Sequence, residues 1–313
     1  MKKDTQDRLF FPLTYLAALW LKKVRANIRT MKRSRQILIK EGVFPILDRY
    51  WEPLFNPARL RHSLSDDRTL PGIDLNIKEQ LELISKFSWS DELRRFPIHK
   101  TGATEFYCIN GSFGPGDAEY LYNAIRYFKP KRMIEIGSGN STLMAVNAIA
   151  ANRREDVKYR CEHTCIEPYE CEWLKGLDIS LVRKPVEEVD AASFRALEAN
   201  DILFIDSSHI IRPQGDVLLE YLEILPTLKS GVVVHVHDIF TPKDYPEGWL
   251  TDEVRFWNEQ YLLEAFLSFN SRFKVIASLN HLKHRYFSNL TAACPILKDF
   301  PLTEPASFYL RVV

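Results

Sequence analysis

Between residues 132 and 236 the chain repeats one pattern. A short, mainly apolar run stops at a polar residue, and a segment of helical period follows. Met133-Ile134-Glu135-Ile136, Tyr159 to Ile166, Ile179 to Val182, Ile202 to Ile205 and Gly231 to Val236 read as strands. Ser141 to Ala151, Tyr169 to Leu174, Phe194 to Ala199 and Val217 to Leu228 read as the helices between and after them. A strand that is apolar on both faces needs cover on both, which selects a parallel sheet sandwiched by helices. Asp252 to Phe269 extends the series as a long helix, and Phe273 to Ala277 and Phe308 to Val312 as further strands. The expected fold is a Rossmann-like, doubly wound, mostly parallel seven-stranded sheet occupying residues 99–313. Residues 1–98 precede it as a helical extension, in which Ile77 to Phe87 has helical periodicity.

Ligands of such sheets bind outside the carboxyl ends of the strands, so chemistry is sought there. The first strand runs into Glu135-Ile136-Gly137-Ser138-Gly139-Asn140-Ser141-Thr142. Two glycines allow a tight turn and close approach of a ligand, and Ser141 or Thr142 can cap the next helix. A dinucleotide fingerprint would carry a third glycine where Thr142 stands, which argues against NAD. The second strand ends at Glu167, whose carboxylate can accept both hydroxyl hydrogens of a ribose. An exposed acid at a strand end is the plain alternative.

The glycine turn, the acid of Thr164-Cys165-Ile166-Glu167-Pro168 and the strand Asp201-Ile202-Leu203-Phe204-Ile205-Asp206 together resemble class I S-adenosylmethionine-dependent methyltransferases, across roughly residues 100–313. The resemblance implies S-adenosylmethionine as cofactor. It puts Glu135, Gly137, Ser138, Gly139 and Asn140 around the methionine side, Glu167 on the ribose and Asp206 nearby. Phe113 to Glu119, just ahead of the first strand, either closes over the methionine moiety or serves as a loop and helix cap.

Strand four ends at Asp206 with His209 three residues on, and strand five ends at His237-Asp238. Adjacent parallel strands bring these four groups to one edge. The arrangement is similar to that of catechol-type and macrolide-sugar O-methyltransferases, which hold magnesium with an acid after strand four and an acidic pair after strand five. On that resemblance Asp206, His237 and Asp238 are candidate metal ligands, for magnesium or manganese. Histidine at 237 departs from the pattern and leaves room for no metal at all. His209 falls where catechol-type enzymes carry a basic catalytic residue. A neutral imidazole there is a candidate general base, with Asp206 beside it. His235, on the same face as His237 but deeper, reads as structural. Residues Thr241 to Tyr261 are expected to wall the acceptor pocket, with Tyr245, Trp249, Arg255 and Trp257 as contacts and Glu253, Asn258 and Glu259 as further polar groups. The same aromatics also suit a packed helix face. Similarity to macrocin- and polysaccharide-modifying methyltransferases points to a carbohydrate or other small-molecule hydroxyl as acceptor.

The formal net charge of +1 over 313 residues gives no global attraction to nucleic acid. Charge is instead local: from Lys22 to Lys40 there are eight Lys or Arg and no acid, directly after the apolar run Leu9 to Leu21. That run is too short to span a bilayer, contains Pro12 and lacks a following cleavage site. Residues 9–40 therefore read either as a peripheral contact with an anionic membrane or as a helical arm packed on the domain or on a second copy in a homo-oligomer. The five cysteines, an odd count without zinc-type spacing, suggest reduced thiols and a cytoplasmic protein, with membrane association through the arm as the variant. Two other readings stand beside the O-methyltransferase: an RNA methyltransferase gripping through the basic segment, and a catalytically idle cofactor-binding interaction protein.

Overall fold

The computed structural model describes residues 3–169 and 171–313, with side chains from Asp7 onward. The chain forms two compact units, residues 1–63 with 246–256, and residues 64–245 with 257–313.

The larger unit holds all seven strands. They are β1 (Arg132–Ile136), β2 (Glu162–Ile166), β3 (Ser180–Val182), β4 (Ile202–Ile205), β5 (Val233–Val236), β6 (Phe273–Ser278) and β7 (Phe308–Val312), in the spatial order β3-β2-β1-β4-β5-β7-β6. Every pairing from β3 through β5 is parallel, and β7 is antiparallel to both β5 and β6. The Rossmann-like mixed sheet expected from the sequence is what forms. The order in which the chain lays down its strands reverses between the parallel neighbours β1 and β4, so the crevice for a ligand opens at their carboxyl ends.

The apolar runs are explained by two-sided burial. On β4, Ile202 and Phe204 enter one core with Met133 and Leu143, while Leu203 and Ile205 enter the other with Ile134, Ile136 and Val234. All four β4 side chains are fully buried. At roughly 1.5–3 kcal/mol per side chain, this four-residue strand is worth a large part of a domain's net stability.

The helices of this unit are α3 (Ile77–Ile84), α4 (Ser90–Leu93), α5 (Asp117–Phe128), α6 (Asn140–Glu155), α7 (Ala191–Arg195), α8 (Asp216–Leu219), α10 (Glu259–Leu267), α11 (Leu279–Arg285), α12 (Phe287–Ala293) and α13 (Pro295–Asp299); α8 runs on through a π turn, Glu220–Ile224, and a short 3-10 turn. The smaller unit holds α1 (Lys3–Ala26), α2 (Lys32–Lys40) and α9 (Glu247–Thr251).

Among the boundaries that differ from the sequence reading, three bear on the architecture. The larger unit begins at Leu64, because Ile84, Phe87 and Leu93 lie in its core and Gln80 Oε1 accepts from the Ser278 amide of β6 at 2.9 Å. Residues 64–98 thus belong with the sheet. The long helix expected over Asp252 to Phe269 is confined to α10. Val254 has φ +54°, and the Asn258 and Glu259 amides both turn to the His209 carbonyl. The expected helix over Tyr169 to Leu174 becomes a 3-10 turn at Glu172–Gly176; Glu170 lies outside the described residues, as do Met1 and Lys2 of the extension. All five cysteines are free thiols. Among the described residues no helix is long and apolar enough to cross a membrane.

Candidate active site

The turn after β1 is fixed sterically. Gly137 has φ +83°, and a Cβ there would stand 2.0 Å from the Asp206 carbonyl oxygen, so no other residue fits. The Asp206 amide in turn donates to the Ile136 carbonyl at 2.8 Å. The ends of β1 and β4 are therefore in direct backbone contact. Gly139 is different. Its backbone is extended, and nothing lies within 4 Å of where its Cβ would be. The space beside it is open.

Thr142, standing where a third glycine would be, ties the turn down. Its hydroxyl accepts from the Gly139 amide at 3.1 Å and donates to Glu135 Oε2 at 2.7 Å. Glu135 has no solvent exposure; Cys165 Sγ lies 3.3 Å and His163 Nε2 3.3 Å from the same oxygen. Burial, then the charge of Glu135, pushes the Cys165 thiol far up, so it stays protonated. The sequence reading set Glu135 on the methionine side of a ligand. The structure instead places it beneath the turn, because its pairing opposite Cys165 on β2 directs it into the core under α6. Ser138, Gly139 and Asn140 remain partly exposed. Glu167 caps the turn from β2, accepting from the Ser138 amide at 3.2 Å and the Tyr169 amide at 2.8 Å, and stays partly exposed. The Asn140 side chain donates to Ser112 Oγ at 2.8 Å, which brings the loop before α5 to the turn.

In Phe113 to Glu119 the two acids make cap and tertiary hydrogen bonds. Asp117 accepts from the Ala306 and Ser307 amides, and Glu119 accepts from the Gly116, Ile296 and Leu297 amides, all within 3.1 Å. Both carboxylates are buried against the segment that leads into β7.

At the ends of β4 and β5 the four expected groups do meet. His209 Nε2 lies 3.3 Å from Asp206 Oδ1 and 3.5 Å from Asp238 Oδ2, and the ligand atoms of these three residues all lie within 4.8 Å of one another. His237 Nδ1 lies 3.4 Å from Asp206 Oδ1 and 3.7 Å from Asp238 Oδ1, while its Nε2 faces Asp117 at 3.6 Å. The most compact three-ligand set is thus Asp206, His209 and Asp238, with His237 set to one side between Asp206 and Asp117. The set whose geometry could hold an ion therefore contains His209, where the sequence reading had His237. His235 is buried, stacked at 4.0 Å on Tyr309, with Nε2 2.8 Å from Ser307 Oγ. It is structural.

Local backbone and partners hold this cluster. His209 and Asp238 both sit in the left-handed region, φ +60° and +59°, a conformation that costs a β-carbon-bearing residue on the order of 1 kcal/mol or more. Ser207 Oγ donates to Glu220, and the Ser208 amide and hydroxyl donate to Asp216 at 2.9 and 2.7 Å. Asn258 Oδ1 accepts from the Ile211 amide at 2.7 Å. His209 Nδ1 donates to Glu259 Oε2 at 2.8 Å, and Glu259 Oε1 accepts from Tyr221 at 2.9 Å. Trp257 lies against the imidazole at 4.3 Å.

Glu259 was expected to face an acceptor. It is instead fully buried behind the histidine, fixing the ring from its far nitrogen. Tyr245 also departs from the expected role, since it is 1% exposed and its hydroxyl accepts from the Gln260 amide at 3.0 Å. It packs beneath Trp257 and Tyr261 and presents no open face. In the smaller unit the Arg255 guanidinium lies 4.2 Å over Trp249 and pairs with Glu253.

Electrostatics change what His209 can do. Burial alone would lower its pKa, but hydrogen bonds to Asp206 and Glu259, with their charges, raise it to about 10. For Asp206, burial is outweighed by the His237 charge and by hydrogen bonds from both imidazoles, which hold it below the usual carboxylate range. Burial pushes Asp238 up, against the pull of His237. For His237, burial is overcome by Asp238, Asp206 and Asp117, and it too is raised. The sequence reading made His209 a neutral base with an ordinary pKa; the two carboxylates of Asp206 and Glu259 favour the imidazolium instead.

The glycine turn thus lies at the switch point of a Rossmann-like mixed sheet, where such folds hold their ligands. Residues 134–239, from β1 to just past β5, match the family model of a methyltransferase domain. An uncharacterized protein of Archaeoglobus fulgidus is 33% identical over 144 residues, which is 44% of this chain and 63% of that protein, so the match spans under two thirds of the relative's length. An O-methyltransferase from Bacillus cereus in complex with SAH superposes with a TM-score of 0.35 at 12% identity, covering 75% of this chain and 90% of that one. That superposition is too loose to transfer any residue's role.

Proposed function

We propose that the protein transfers a methyl group from S-adenosylmethionine to a hydroxyl of a sugar, glycan or other small molecule. One observation carries this reading: the glycine turn after β1 and the Asp206–His209–Asp238 cluster share one sheet edge, joined by the contact of Gly137 with Asp206. The residues present suit the cofactor. The open space beside Gly139 admits an approaching ligand, and the partly exposed Glu167 offers acceptor oxygens to a ribose. When bound, S-adenosylmethionine supplies an electrophilic methyl on a sulfonium. The protein's task is then alignment of the acceptor oxygen and removal of its proton.

In this reading the acceptor hydroxyl lies against Asp206, His209 and Asp238, with Trp257 as a flat wall. While both carboxylates hold their charge, Nε2 of His209 keeps its proton and acts as a donor. A divalent cation, magnesium or manganese, would suit this oxygen-rich set, with His209 in place of a carboxylate. Glu259 would orient the ring from behind, as carboxylates do for ligating or catalytic histidines. With no cation on Nε2, neutralising Asp206 removes a charge that holds the proton there and frees the imidazole to act as a base.

Titration calorimetry with S-adenosylhomocysteine tests the cofactor: no heat of binding at millimolar ligand overturns the reading. A labelled-methyl screen over sugars, glycans, phenols and RNA tests the acceptor, and label appearing on RNA alone would replace the hydroxyl substrate with a nucleic acid. A His209→Ala variant that binds cofactor normally and turns over at full rate would remove that residue from the chemistry. Activity unchanged by chelation, with no metal found by elemental analysis, would remove the cation.

A further inference from the structure

Residues 9–51 are unlike the rest of the surface. Leu9, Phe10, Phe11, Leu13, Tyr15, Leu16, Leu19 and Trp20 on α1 are between 47% and 66% exposed. Ile37, Ile39, Val43, Phe44, Tyr50 and Trp51 follow, also exposed. More than half of the large apolar side chains left exposed among the described residues lie in this stretch. Isolated exposed apolar residues are ordinary, but a contiguous group of this kind marks an interaction site.

The charge beside it selects the partner. Lys22, Lys23, Arg25, Arg29, Lys32, Arg33, Arg35 and Lys40 carry no intervening acid, and among the described residues only Arg25 of the eight is drawn into an ion pair, with Glu52 at 3.3 Å. Since the whole chain is only +1, the remainder is net acidic, and this segment is a local positive field. Two copies packed through it would set like charges against each other. An anionic lipid surface would neutralise them and bury the apolar side chains as well.

We propose that residues 9–40 dock the protein on anionic phospholipid membranes, with the apolar part of α1 in the acyl boundary and the basic stretch against the headgroups. The geometry favours lying in the interface over crossing. Thirteen helical residues reach ~20 Å, short of the ~30 Å of hydrocarbon. Polar residues also bracket the run at both ends, Asp7-Arg8 before it and Lys22-Lys23 after it. Aromatic and basic side chains together are the composition that seats a helix at this depth.

The test is vesicle co-sedimentation of the full chain, and its outcome is independent of the cofactor reading. Binding is expected on phosphatidylcholine mixed with phosphatidylglycerol, roughly tenfold or more weaker on phosphatidylcholine alone, and reduced by high salt. Reversing charge with Arg29→Glu, Lys32→Glu and Arg33→Glu together, or removing apolar contact with Phe11→Ser, Leu16→Ser and Trp20→Ser together, should each lower binding about tenfold or more, with unfolding midpoints unchanged because these side chains are exposed. Equal binding to neutral and anionic vesicles, or none to either, overturns the proposal. So does a dimer by light scattering that the apolar variant turns into a monomer, which would make a second copy the occupant.

Discussion

The two units treat the same kind of residue in opposite ways. In the larger unit, Ile202 to Ile205 disappear completely between two layers of helices. In the smaller unit, α1 carries as apolar a stretch, yet from Leu9 to Trp20 its large side chains face outward. Of residues 7–63 only Val24 is buried, and the unit is tied by polar contacts such as Arg25 with Glu52 and the Leu47 amide with Glu52 at 2.7 Å. Hydrophobicity by itself does not say whether a segment builds a core or a surface. What decides is whether the chain supplies a second face to cover it: β4 has helices on both sides, whereas among the described residues nothing buries the large side chains of Leu9 to Trp20 on α1.

Four measurements would break or sharpen this contrast. The largest effect is expected from Phe204→Ala, which empties space beside Phe113 and His235 in the core. Urea unfolding should show a loss of about 3–5 kcal/mol. Next, Gly137→Ala drives a methyl group into the Asp206 carbonyl and should cost about 2–4 kcal/mol while abolishing S-adenosylhomocysteine binding in calorimetry. Third, in chelator-treated protein, His209 holds its proton in the fold up to about pH 10, whereas an unfolded histidine loses it near 6.5. Its contribution is therefore fully present below pH ~6.5 and lost as the pH rises toward ~10, on the order of a few kcal/mol. Stability curves against pH should flatten over that window in His209→Gln. The smallest effect belongs to the other unit: Leu16→Ser should change the unfolding free energy by less than ~0.5 kcal/mol. A loss above 2 kcal/mol there would mean that α1 is buried in solution, and the contrast would fail.

The sheet was legible because its strands advertise two-sided burial. Ile202–Ile205 and Phe308–Val312 begin and end where the apolar runs do. The convergence of Asp206, His209, His237 and Asp238 was legible for the same reason, since parallel neighbours put their ends together. Groups reaching the site from far along the chain were harder to place. Glu259 is 50 residues from His209 and lies on a helix that reads as amphipathic, so nothing local says that its carboxylate turns inward to a histidine. Asp117 was visible in the loop before α5, but its partners are the Ala306 and Ser307 amides near the far end of the chain. The helices α11, α12 and α13 between β6 and β7 were missed altogether, being short and broken at Tyr286 and Cys294-Pro295. The protonation of His209 was invisible from spacing, because it depends on how many carboxylates surround the ring.

The contact of Gly137 with the Asp206 carbonyl has a practical meaning for anyone who would retarget this protein. With no room for even one methyl group between them, the two halves of the crevice cannot be moved apart or slid past each other by substitution at the joint. It acts as a fixed ruler. On the function proposed above, a larger or smaller acceptor has to be accommodated in the flanking loops, and libraries built to change specificity should leave residues 136–139 and 206 untouched while varying the surroundings of Trp257.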